Sequence, residues 1–138
     1  MATHARPNET VKLVADSAIV HADIRTERIS SYLPMKDYGS VSAFMKTASV
    51  TASDTATLQI LQATDDQGSD AKILVTATSD ALGGVKTVSV TASQDEMDGE
   101  NGFTHVAVRM VSDNDAALLA ACFLARTDAS YKPVARID

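Results

Sequence analysis

Tryptophan is absent from this 138-residue chain, and three phenylalanines and three tyrosines leave an aromatic share of only 4%. A core without large rings must be filled by Val, Ile, Leu, Ala and Met, each burying modest area. That predicts a thin sandwich rather than a fold around a deep ligand cavity, with partner surfaces adding to its stability. A single cysteine, Cys122, excludes an intrachain disulfide. It lies in the apolar run 116–125 and reads as a buried small hydrophobe. A nucleophilic role needs a neighbouring base to lower the thiol pKa. Only His4, His21 and His105 are available, and nothing in the sequence sets one beside it. No stretch reaches the ~18 apolar residues of a membrane span. The opening residues MATHARPNET lack the apolar segment of a secretory signal. The expectation is a soluble protein made in a reducing compartment, with no membrane partner.

Positive charge is scarce. Twelve Lys and Arg against eighteen Asp and Glu give a formal net charge of −6. Binding nucleic acid depends on neutralising phosphates, so that partner is excluded. Catalytic signatures are missing as well. There is no G-x-S-x-G nucleophile turn, and His21 has no Cys or His at zinc-ligand spacing. Gly83-Gly84 lacks the rest of a phosphate-cradling loop. Arg25-Thr26-Glu27-Arg28 reads as a solvated strand face, and His105 as a surface or interface histidine. Two acidic loops carry the one metal alternative, Ca²⁺ held by carboxylates on a tight turn. They are Asp65, Asp66 and Asp70, and the stretch Asp95-Glu96-Met97-Asp98-Gly99-Glu100. Neither matches EF-hand spacing, and both read as solvated turns unless they meet in space. No catalytic, cofactor-binding or metal residue is assigned, no cofactor is expected, and the chain is expected not to be an enzyme.

What is present is a cadence. From about residue 11 to residue 124, Val/Ala/Thr/Ser-rich runs are interrupted by Asp/Gly/Asn/Ser clusters about every eight to fifteen residues. That spacing predicts one all-β domain, a sandwich or barrel of about eight strands. Residues 1–10 read as an arm, 11–125 as the β domain and 126–138 as a surface tail. Strand pieces are expected at 11–14 and 17–20, then a looser one at 24–33 that ends at Pro34, where a central strand cannot continue. Lys36-Asp37-Tyr38-Gly39 reads as a turn. In strand 40–50, Val41, Ala43 and Met45 share a face, with Phe44 and Lys46 opposite. In 55–63, Leu58 and Ile60 oppose Thr57, Gln59 and Leu61. In 71–78, Ile73 and Val75 are expected on one side.

Strand 85–91 alternates most clearly, and 103–111 sets Val106, Val108 and Met110 against His105, Ala107 and Arg109. The run 116–125 suits a buried strand better than a buried helix, given its length and the preceding Asp113-Asn114-Asp115 turn. An echo between 46–54 and 86–93 reads as two strands of similar composition rather than a repeat architecture.

Four ordered segments carry a resemblance. They are Tyr32-Leu33-Pro34-Met35-Lys36-Asp37-Tyr38, the stretch 58–72 (LQILQATDDQGSDAK), Asn101-Gly102-Phe103-Thr104-His105-Val106-Ala107-Val108, and Tyr131-Lys132-Pro133. In this order the chain resembles small virion proteins of tailed bacteriophages and phage-like particles, of the kind that coat or decorate the capsid. The resemblance implies a jelly-roll-like β-sandwich without catalysis, made in the host cytoplasm and bound in many copies to the major capsid protein of the virion. It carries over no catalytic residue. It leaves open a head-spike base or a neck or tail component. A Ca-dependent ligand-binding module remains the alternative from the residues themselves, with Tyr32, Tyr38 and Tyr131 as its only candidate sugar platforms. A homo-oligomer, trimer or dimer, is expected, because exposed strand edges are a pairing hazard and capsids repeat local symmetry axes.

Overall fold

The computed structural model describes residues 17–129. The arm 1–10 with His4, the strand piece at 11–14 and the segment Tyr131-Lys132-Pro133 lie outside the described residues. Within them nine strands follow one another: β1 (Ser17–Asp23), β2 (Arg28–Ile29), β3 (Leu33–Pro34), β4 (Tyr38–Val50), β5 (Ala56–Ala63), β6 (Lys72–Thr78), β7 (Gly84–Ser93), β8 (His105–Ser112) and β9 (Leu119–Ala129). They form two antiparallel sheets, one ordered β1-β9-β4-β7 and the other β2-β8-β5-β6, with β3 also on β8.

β2 and β3 are one interrupted strand. Both pair antiparallel with β8, at Ile29 opposite Arg109 and Leu33 opposite Val106. Four steps on one side face three on the other, so one extra residue bulges out. Ser30 fills the gap: its hydroxyl accepts the Val108 amide at 2.9 Å. Counted as one strand, the pair makes the sheet orders 1-8-3-6 and 2-7-4-5, the interleaved strand order of an eight-stranded jelly roll. The all-β sandwich read from the cadence is the observed fold. Pro34 ends the edge strand β3, where its missing N–H leaves no ladder bond unmade.

The two inner faces carry the expected aliphatics. Val41, Ala43, Ile60, Val106, Val108, Met110 and Leu124 are all 0% exposed. Cys122 is buried on β9, opposite Met45, as a small hydrophobe. A second bulge lies in β4 between Lys46 and Ser49, beside Thr47, which alternation with Val41, Ala43 and Met45 sets inward. The Thr47 hydroxyl accepts the Lys86 amide at 3.1 Å, standing in for the ladder partner. The echo segments lie here side by side, Lys46 opposite Thr87, as neighbouring strands of one sheet.

Three expectations are corrected. Ile73 and Val75 do not share a face. Val75 pairs with Ile60 but Ile73 pairs with Leu61, so Leu74 is an extra residue that flips the alternation. Ile73 is consequently 53% exposed. The run at 116–125 is not a strand buried on both faces. β9 begins at Leu119, continues to Ala129 through the first residues read as tail, and exposes Leu119 and Phe123. The turn after Pro34 falls one residue earlier than expected, closed by the Tyr38 amide on the Met35 carbonyl at 3.1 Å, with β4 starting at Tyr38 itself.

The outer faces of the two sheets differ in kind. On the β8–β5–β6 sheet a polar row crosses three strands: Arg109 pairs with Glu27, donates to Gln59 at 2.6 Å, and Gln59 donates to Thr76 at 3.4 Å. On the β9–β4–β7 sheet the cross-strand rows are Thr127–Ser40–Ser93 and Ala125–Ser42–Thr91, with Ser42 and Thr91 hydroxyls 3.0 Å apart.

The loops divide between two ends. At one end, segments 24–27, 51–55, 79–83 and 113–118 meet. Ile24 donates to Leu118 at 3.0 Å and Ser53 to Ala81 at 2.8 Å. Asp23 organises this end, accepting from the Arg25 and Leu118 amides at 3.1 and 3.2 Å and pairing with the Arg25 guanidinium at 2.8 Å. The Arg25 side-chain bond, ahead of the backbone bonds, lowers the Asp23 pKa to about 2. The Ser69 hydroxyl lowers Asp65, the Lys86 ammonium lowers Asp80, and Lys72 lowers Asp98. Folded pKa values below the unfolded ones mean stability that is present above about pH 4 and lost as the pH falls towards 2. The midpoint of urea unfolding should therefore be lower at about pH 2.5 than at pH 5. An equal midpoint at the two pH values contradicts the role given to these carboxylates.

Candidate functional site

The opposite end holds the loops 35–37, 64–71 and 94–104, and a concavity opens beside them. A pocket of about 480 Å³ is walled by Pro34, Met35 and Lys36 from the end of β3, by Gln94, Met97 and Gly99, and by Phe103, Thr104 and His105 entering β8. The chain folds this way because backbone bonds tie the loops to one another. The Met35 amide donates to the Thr104 carbonyl at 2.9 Å, and the Thr104 amide to the Ala63 carbonyl at 3.0 Å. Gln94 Nε2 donates to the Met35 carbonyl at 3.3 Å. Two 3-10 turns, Gln94–Glu96 and Gly99–Asn101, shape the acidic loop. The walls are mostly apolar; Met35 is 1% exposed and Phe103 9%. Lys36 is exposed at the mouth and supplies its one full charge.

The two acidic loops do share this end, and Asp65 and Asp98 are engaged in it. Asp65 accepts from the Gln67 and Ser69 amides at 2.9 and 3.0 Å and from the Ser69 hydroxyl at 2.6 Å. Asp98 pairs with Lys72 at 2.7 Å and accepts from Asn101. Its amide donates to Gln62 Oε1 at 2.9 Å, and Lys72 also sits 4.3 Å over the Phe103 ring. Among the described residues no group of three or more His, Cys, Asp or Glu side chains comes together to hold a metal ion.

The other candidates scatter. His105 Nδ1 lies 2.8 Å from the Thr104 hydroxyl, at the pocket wall on β8, whereas the buried Cys122 is on β9 of the other sheet. Tyr32 is half-buried against Gly68, where an added Cβ would stand 2.7 Å from Cε1 of the ring and φ is +79°. Burial, then the Glu27 charge, raises the Tyr32 pKa. Tyr38 carries the Arg126 guanidinium 4.4 Å over its ring. Tyr32 and Tyr38 thus stand against separate partners, Gly68 in a loop and Arg126 on β9.

Sequence reasoning missed the pocket, although two of the segments it singled out, 32–38 and 101–108, line it and a third, 58–72, is bonded to the second. The signal lay in the segments of the resemblance. Tyr32–Tyr38 is strand end and turn, 58–72 is β5 and its loop, and 101–108 is loop and β8. The Met35–Thr104 and Thr104–Ala63 bonds draw all three into one surface.

No family model matches the chain, and no curated protein does. Among solved structures it is similar to the cowpea mosaic virus top component, at TM-score 0.45 and 9% identity over 78% of this chain and 61% of that one. The chain thus spans about three-fifths of that capsid protein's length. A non-crystalline-cellulose-specific carbohydrate-binding module matches at TM-score 0.48 and 11% identity, over 88% and 80%. The Bacillus endospore appendage protein, of a disulfide-linked pilus family, matches at TM-score 0.46 and 17% identity, over 94% and 98%. The jelly-roll assignment itself rests on the strand order. On that order the chain is an all-β sandwich.

Proposed function

We propose that the chain is a non-enzymatic structural protein of a phage virion, which decorates or cements the capsid by binding the major capsid protein. One observation carries the reading. The three described segments that resemble phage virion proteins are distant in sequence, yet they converge on a single end of the sandwich. That end carries a ready-made apolar pocket with a cationic lip. Side chains buried in the centre of such a patch dominate interface energies. The rigid jelly roll holds the loops in place, and the pocket takes an apolar side chain of the capsid protein beside one of its acidic groups.

The test uses the full chain and empty capsids of the phage that encodes it. The wild type should pellet with the capsids. A Lys36→Glu/Met97→Asp double variant, altered only at the exposed lip and a half-buried wall, should bind about tenfold more weakly, corresponding to ~1.4 kcal/mol. Wild-type protein that stays in the supernatant overturns the function. Equal pelleting of both proteins overturns this end as the docking end.

A further inference from the structure

The outer face of the β9–β4–β7 sheet is built unlike that of its partner sheet. Below the two hydroxyl rows described above come Phe123–Phe44–Ser89 and Ala121–Lys46–Thr87. At the centre, Phe44 and Phe123 are stacked with centroids 4.9 Å apart, and they are 41% and 38% exposed. Two of the three phenylalanines of the chain are therefore placed in water on a sheet face. Around them stand hydroxyls and alanines. Lys46 is the one charged residue in these four rows, although the chain carries eighteen Asp and Glu.

From this arrangement we infer that the face pairs with the same face of a second copy, forming a twofold dimer. Three arguments select that occupant. The first is charge. Chains of net charge −6 repel one another, so identical surfaces meet only where acids are absent. The described rows of this face contain none. The second is self-complementarity. A hydroxyl both donates and accepts, so a Ser/Thr array satisfies its own copy, as a surface of carboxylates or ammoniums does not. A twofold axis lying in the interface plane and crossing the strands at the ring pair lays Phe44 on the partner copy's Phe44 and Phe123 on its Phe123. The same axis sets the Lys46 row over the Ser42 row of the other copy, where hydroxyls accept from the ammonium. The third is area. Three strands with four outward positions each, at about 4.8 by 6.7 Å per position, give roughly 400 Å² per copy. Two copies bury about 800 Å², the size of a weak, transient contact. The dimer is accordingly of modest affinity, with a Kd of about 1–100 µM.

This inference does not rest on the capsid reading, because it uses another surface. Capsid pelleting and self-association are read separately. The test is sedimentation velocity of the full chain across that concentration range, at low salt and at about 0.3 M salt. The wild type should pass from monomer to dimer at both salts, since screening acts little on an uncharged contact. Phe44→Glu and Thr91→Arg should remain monomeric at every concentration, with unchanged circular dichroism. Ile73→Glu, on the other sheet, should dimerise like the wild type. Thr91 is an exposed edge-strand position, so Thr91→Arg decides if Phe44→Glu does not fold. A wild type that stays monomeric, a trimer, or a dimer that survives Thr91→Arg overturns the inference.

Discussion

Truncating Ile60 to alanine should lower the unfolding free energy by about 3 kcal/mol, within the ~2–5 kcal/mol range of large-to-small core substitutions. Ile60 is 0% exposed at the middle of β5 and pairs in register with Val108 on one side and Val75 on the other. The core has no tryptophan to spread the loss, and its neighbours are themselves small and β-branched. Sheet backbones cannot move in to close the gap without breaking ladder bonds, so a cavity remains. For a domain whose net stability is about 5–15 kcal/mol, that is a large share. Urea denaturation of wild type and variant measures it. Leu82→Ala is the control: Leu82 is 83% exposed, and the change should stay within about 0.5 kcal/mol. A loss below about 1 kcal/mol at Ile60 contradicts the close packing assigned to the sandwich interior.

The second large effect is expected at Asn114. This residue is 6% exposed in the loop between β8 and β9. Its Oδ1 accepts the Thr51 amide at 2.8 Å and its Nδ2 donates to the Ala116 carbonyl at 2.8 Å, so one side chain satisfies backbone groups of two loops. Ser112 joins them, its hydroxyl accepting the Asn114 amide at 3.0 Å and donating to the Thr55 carbonyl at 2.8 Å. Asn114→Ala leaves the part-buried Thr51 amide and Ala116 carbonyl without their side-chain partner and should cost about 1–2 kcal/mol. Asn114→Asp keeps the acceptor but turns a carboxylate towards a carbonyl. The variant carboxyl should have a raised folded pKa, because only its protonated form can donate to Ala116. Its stability deficit should therefore shrink as the pH falls from 7 to about 5. Urea midpoints at the two pH values test this, and a deficit independent of pH contradicts the donor role of Nδ2.

Much of the fold is legible in the sequence because alternation survives wherever strands are regular. β7 and β8 present the faces that their sequences spell out, and Phe44 stands opposite Val41, Ala43 and Met45. What is not legible sits at bulges. A single extra residue at Leu74 reverses the sidedness of Ile73 and Val75, and nothing local announces it. Ser30 and Thr47 look like ordinary polar strand residues, yet each is buried and replaces a ladder partner with its hydroxyl. Alternation sets Gln59 and Leu61 on the face away from Leu58 and Ile60, yet they are only 7% and 6% exposed. Gln59 there belongs to the cross-strand row with Arg109 and Thr76, a long-range arrangement that spacing does not encode. The pocket is invisible for the same reason: its walls come from separate segments joined only by non-local bonds. In the acidic loops, Asp65 accepts from neighbouring amides and Ser69, and Asp98 from Asn101 and Lys72, the last a contact between the two loop regions that spacing does not encode.

The measurement that bears most directly on the central claim is a cryo-electron-microscopy map of particles assembled with and without this chain. The account predicts difference density for a small β-sandwich on the capsid shell, with the end that carries Lys36, Met97 and His105 turned to the major capsid protein. Particles whose maps superimpose with no added density, or a sandwich held with that end pointing to solvent, would contradict it.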